Sequence, residues 1–167
     1  PLPVLHVLHT CGLTAERTVM VGDGPHDVRA GRAAGVHTVA VTTGNYVAHN
    51  NLGIALKARG RADAAFYHFS ESLRINPNYS IAHVNLANAL AWKGKFAEAA
   101  RHYRMALNVT PDDSKAYKNY GGVMVQMGKL PEAVALFRKA LEIDSDYPDA
   151  HSDLGVALAV QGRTGEA

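Results

Sequence analysis

The sequence predicts a mainly α-helical solenoid of paired helices with a short β-α-β segment in front. Three observations carry that prediction. From Asn45 onward the 167-residue chain repeats itself at an interval of 34 residues. Within the repeat, glycine and proline recur in fixed columns. Ahead of it, residues 17–44 change from an alternating β-branched run to a helical pattern and back.

The first strand is "RTVMV", whose β-branched residues suit a buried strand. "PHDVRAGRAAG" is predicted to be a helix with Pro25 in its first turn, and "HTVAVTTG" a second strand. That order requires a parallel pair with a right-handed crossover. Asp23 falls at the carboxyl end of the first strand, where open α/β sheets keep their sites, and Asp27 in the first helical turn. Two carboxylates in that corner suit Mg²⁺, held directly or through water. So small a segment lies near the lower limit for an independent core, and its strands would leave edges uncovered. The expected domains are 1–44 and 45–167, joined without a linker.

Shifting the chain by 34 aligns "AHNNLGIALKARGRADAA" with "AHVNLANALAWKGKFAEAA", "AYKNYGGVMVQMGKLPEAV" and "AHSDLGVALAVQGRTGEA". Leu52, Leu86, Tyr120 and Leu154 fall in one column, and Gly60, Gly94, Gly128 and Gly162 in another. The glycine column follows an amphipathic stretch, where a left-handed residue ends a helix at no Cβ cost. Pro77 and Pro111 close second helices that proline cannot continue. Gly53, Ala87, Gly121 and Gly155 are small enough for paired helices to approach closely, and Phe69, Tyr103 and Phe137 are expected to pack under the next repeat. The repeats are about 46–79, 80–113, 114–147 and a partial 148–167. Val156, Leu158 and Val160 do not make the polar outer face of a solenoid cap, so self-association through the exposed ends is expected.

Lys and Arg number 17 against 15 Asp and Glu, well mixed, so no basic block points to nucleic acid or an anionic membrane. Cys11 is the single cysteine, which excludes a disulfide framework and a thiolate metal cluster. No apolar run approaches the roughly 20 residues of a membrane helix. A cytoplasmic protein is the default expectation. Of nine histidines, His49, His83 and His151 recur at the repeat interval. Stacked repeats would hold them about 10 Å apart, too far to share one ion with nitrogens near 2 Å.

The repeat strongly resembles the tetratricopeptide repeat (TPR), covering Asn45 to Ala167, with His49, His83, Tyr117 and His151 where that family often has tryptophan. The resemblance implies first helices lining a concave groove that binds a protein or an extended peptide. One polar column falls there: Asn51, Asn85, Asn119 and Asp153. A carboxamide both donates and accepts, so such a ladder suits capture of a peptide by its backbone. The column is similar to that of the TPR arms of protein O-linked N-acetylglucosamine transferases, which makes a glycosyltransferase arm one alternative. Asn88, Lys115, Lys118, Val47, Ile81, Trp92 and Gln126 would shape the groove, with Trp92 expected to pack between repeats. The two-carboxylate clamp of chaperone-tail TPRs is mostly missing. Asn50 and Ile54 stand where its Lys and Asn are needed, and Asn119 replaces its arginine.

"VGDGPHDVRAGRAAGVHTVAVTTG" resembles the last motif of the haloacid dehalogenase (HAD) superfamily of phosphatases, with a Rossmann-like segment around it. The resemblance implies that Asp23 and Asp27 would position Mg²⁺. The family's nucleophilic "DxDxT/V" aspartates, its Ser or Thr and its Lys have no match, so no aspartyl-phosphate can form. The expectation is a non-enzymatic scaffold that requires no cofactor, with a vestigial Mg²⁺ corner. A fragment of a Mg²⁺-dependent phosphatase fused to repeats is the other alternative.

Overall fold

The computed structural model describes residues 19–22, 37–40 and 45–165. Strands β1 (Val19–Gly22) and β2 (His37–Ala40) pair in parallel, Val19 opposite His37 and Gly22 opposite Ala40. Parallel neighbours need a crossover rather than a tight turn, in keeping with the predicted order. The intervening loop and helix, with Asp23 and Asp27, lie outside the described residues. From Tyr46 the described chain is helix and turn, and it groups into two compact parts, Pro1–Ile75 and Asn76–Ala167.

The first part holds the hairpin of α1 (Tyr46–Ala58) and α2 (Ala62–Ile75). The Asn45 side chain caps α1 by accepting the Ala48 N–H at 3.0 Å, satisfying one of the orphan donors of a helix start. Leu52 and Leu56 of α1 bury against Ala65 and Phe69 of α2. Near the end of α2, the buried Ser72 hydroxyl donates to the Tyr46 carbonyl at 2.7 Å, tying the two helices together.

The second part stacks α3 (Ser80–Trp92), α4 (Phe96–Val109), α5 (Ser114–Gln126), α6 (Leu130–Ile143) and α7 (Pro148–Gly165). Each helix packs on the next in sequence, and α3 also borders α5 as α5 borders α7. The first helices of successive hairpins therefore form one continuous layer. Its core holds Leu90, Tyr103 and Phe137, each almost wholly buried. The Asp113 carboxylate caps α5 by accepting the Ala116 N–H at 2.9 Å.

The turns form as their glycines predict. Gly60, Gly94 and Gly128 have φ of 73°, 74° and 73°. After each, the next N–H reaches back to the carbonyl of Leu56, Leu90 or Met124 at 2.9 Å, the bond that ends a helix with a left-handed residue. Gly162 departs from that expectation: it stays inside α7. A left-handed turn becomes favourable only when a second helix folds back onto the first, and α7 has no following helix among the described residues.

For the same reason no atom lies within 4 Å of where a Cβ on Gly155 would stand, so this glycine serves no close approach there. At Gly53 and Gly121 the approach is real, with an added Cβ falling 2.5 Å from the ring of Phe69 or Phe137. Phe69 and Phe137 thus press on the glycine of their own hairpin. Tyr103, whose hairpin has Ala87 in that column, reaches the next one and stacks on Tyr120 with ring centres 5.8 Å apart.

Candidate functional site

Residues spaced four, three and four apart share one helical face. On α3 such a stripe is Ile81, Asn85, Asn88 and Trp92; on α5 it is Lys115, Asn119, Gly122 and Gln126; on α7 it runs through Asp149, Asp153, Val156 and Val160. The opposite face of α3 is buried through Ala82, Leu86 and Leu90, so its stripe is directed outward. Because α3 borders α5 and α5 borders α7, the three stripes adjoin. In the first hairpin, Val47, Asn51 and Ile54 make the equivalent exposed stripe on α1.

The rungs of the predicted ladder are not alike. Asn51 is exposed, while Asn85 and Asn119 are half-buried. The Asn119 amide donates to the Asn88 carbonyl oxygen at 3.4 Å, a long and weak bond, and the Tyr103 hydroxyl donates to the same oxygen. Burial pushes the Tyr103 phenol well above its ordinary pKa, so it remains a donor. Asp153 and Lys118 engage each other at 3.4 Å, with Asp149 4.0 Å from the same ammonium. The last rung is therefore an ion pair, formed because a carboxylate replaces the amide one helix away from a lysine.

Trp92 corrects its expectation. It is 78% exposed and does not pack between repeats. Two residues after buried Leu90, it lies about 200° further around the helix, on the outward stripe. Ile81, at the other end of that stripe, is also exposed. A shallow cleft of about 420 Å³ is lined by Asn88 and Ala91 of α3, Asn119, Gly122 and Gln126 of α5, and Phe96 and Tyr103 of α4. Asn50 is fully buried, so it could not take part in a carboxylate clamp.

A second arrangement was not foreseen. The Nδ1 atoms of His49 and His68 lie 3.0 Å apart, as do those of His83 and His102. His68 and His102 are themselves 34 residues apart, and that second column was the available signal. His83 Nε2 donates to the Pro77 carbonyl at 2.8 Å, and His151 Nε2 to the Ser145 carbonyl at 2.9 Å. In the column where TPRs often place tryptophan, these histidines close the turn before their helix. Among the described residues no group of three or more His, Cys, Asp or Glu is placed to hold a metal, and no helix is long and apolar enough to cross a membrane.

Comparison with known proteins identifies the helical architecture. Models described as "Tetratricopeptide repeat" and "TPR repeat" match residues 56–119 and 121–162. A model described as HAD-hydrolase-like matches residues 3–65, running past Gly44 into α2. Among solved structures, the first TPR of Spaghetti (RPAP3), bound to the HSP90 peptide SRMEEVD, is 21% identical with a TM-score of 0.70, over 73% of this chain and 97% of that one. The Sgt2 TPR domain from Aspergillus fumigatus is 22% identical with a TM-score of 0.70, over 75% and 84%. MamA is 19% identical with a TM-score of 0.68, over 71% and 70%. Likeness at this level shows the fold. No curated protein matches the chain by sequence. The matching repeat models are general ones, and the transferase-type likeness stays an expectation.

Proposed function

From a chain whose helical part is built of tetratricopeptide repeats, we propose a protein-interaction scaffold that holds an extended peptide along the outward stripes of α3, α5 and α7. The observation that carries this reading is the adjoining of those stripes across α3 and α5: half-buried amides at Asn85, Asn88 and Asn119, flanked by exposed Ile81 and Trp92. Amides set between apolar residues give a peptide both backbone partners and side-chain contact. Lys115, exposed on the same layer, would add charge selection. The peptide carried by the Spaghetti domain supports a peptide ligand in general, although the chain lacks most of the residues of a two-carboxylate clamp.

The test is capture by the full chain of a peptide selected from a random display library. Changing Asn85 and Asn119 together to Ala removes two sites worth about 0.5–1.5 kcal/mol each. Affinity should fall at least about fivefold, with the helical circular dichroism unchanged. Equal affinity would remove the ladder.

The same reading assigns no phosphoryl transfer to this chain. The sequence between Pro1 and Gly44 supplies the HAD-like Asp23 and Asp27 but no nucleophilic aspartate, and transfer depends on charge neutralisation from several directions. Asp23 and Asp27 would hold Mg²⁺ weakly, as two carboxylates completed by water. With p-nitrophenyl phosphate and Mg²⁺ the purified chain should show no turnover above buffer. Turnover that disappears in Asp23→Ala would establish a phosphatase instead.

A further inference from the structure

The two histidine pairs lie away from the proposed groove and play no part in peptide capture. Their rings meet end to end. In both pairs the ring centres are 5.2 Å apart, about the separation expected when a 3.0 Å nitrogen–nitrogen contact lies in line with both rings. That geometry suits one shared proton. An ion about 2.0–2.1 Å from each nitrogen, set on the same line, would need the rings to move apart. A tetrahedral ion would need both rings to swing off the line.

The second pair also fixes its tautomers. The Pro77 carbonyl can only accept, so His83 carries its proton on Nε2. Neutral His83 then has a lone pair on Nδ1, and His102 must donate from its own Nδ1. A proton added to His102 Nε2 keeps that bond but charges a half-buried ring in the α3–α4 contact, which is the costly step as pH falls. A further proton puts hydrogen on both facing nitrogens, which removes the bond and sets two cations against each other inside the α3–α4 contact. We propose that His83–His102, with its counterpart His49–His68, forms a pH-sensitive latch closing two of the helical hairpins.

The surroundings favour neutral His102. Burial, then His83 from α3 and Arg101 on α4, hold His102 down at about 4 against an ordinary 6.5, with Glu98 opposing weakly. No charged group of α5, the other helix packed on α4, acts on it. His49 and His68 are lowered in turn, chiefly by burial; Glu71 opposes the shift in both, and Arg74 adds to it at His49. Glu98 is already bridged to Lys95 at 3.1 Å and Glu71 to Arg74 at 3.0 Å, so neither carboxylate is reserved for an imidazolium. A histidine whose folded pKa is depressed contributes stability that is complete above its unfolded value and lost as pH falls. For His102 the window runs from about 6.5 down to about 4.

The third hairpin supplies the control. Tyr117 and Leu136 occupy the columns of His83 and His102, so the repeat accepts a pair without an imidazole. The full chain should lose melting temperature between pH 7 and pH 4.5, and the double variant His83→Tyr/His102→Leu should lose about half as much. In the unmodified protein, ring ¹⁵N shifts should show His102 protonated on Nδ1 at pH 7 and titrating near pH 4. Either a His102 protonated on Nε2 at pH 7, or one titrating at the free value with an equal melting loss in the variant, would overturn the latch.

Discussion

Phe137→Ala should destabilise the second compact part by about 3–5 kcal/mol, the cost of emptying a buried aromatic site. The ring is 1% exposed and presses on Gly121 of α5 from its place on α6. Removing it leaves a hollow beside Gly121, which has no side chain to fill it. A domain is commonly stable by only about 5–15 kcal/mol, so the effect is a large share of the total. Urea unfolding followed by circular dichroism reads it as a lower midpoint at unchanged slope. A loss below about 1 kcal/mol would mean that Phe137 does not close the hairpin.

The reverse change at the same contact is nearly as costly. A Cβ on Gly121 would stand 2.5 Å from the Phe137 ring. Gly121→Ala sets a helix gain of about 0.5–1 kcal/mol against an overpacking cost of about 1–3 kcal/mol. Gly121→Val adds more bulk at the same point and a stiffer side chain, so the clash dominates and the loss should reach about 3 kcal/mol. The adjacent residue is the control. Nothing lies within 4 Å of a Cβ on Gly122, so Gly122→Ala should stabilise α5 by about 0.5–1 kcal/mol. If both substitutions had the same sign, the packing described for this hairpin would be wrong. Combining Gly121→Val with Phe137→Leu should recover part of the loss, because the two residues share one contact and their effects cannot add.

The repeat was legible because each of its markers has a local cause. Gly60, Gly94 and Gly128 are left-handed where a second helix folds back, and Pro77 and Pro111 follow helices that proline cannot continue. The close approaches at Gly53 and Gly121 could be anticipated, but not that Gly155 would miss one, since that depends on a partner helix. The same limit explains Gly162. Its sequence context matches the other turn glycines, but a turn needs a second helix to close on.

The groove was legible as a column and illegible as a set of bonds. Spacing alone placed Asn51, Asn85, Asn119 and Asp153 at equivalent positions. Whether an amide is engaged depends on what an adjacent helix brings within about 3 Å, and here Asn88 meets Asn119 while Lys118 meets Asp153. Trp92 was misjudged because a lone tryptophan favours burial on average, while its angular position beyond Leu90 turns it outward.

The sequence by itself determined the 34-residue hairpin unit, its turns and its core columns, all set by backbone sterics and by hydrophobic spacing along one helix. Only the tertiary structure decided the contacts between helices: the tyrosine held by Asn88, the lysine spent on Asp153, and the imidazoles joined across the hairpins. Such contacts depend on distances between separate helices, and no single-helix periodicity encodes an ångström-scale separation between two of them.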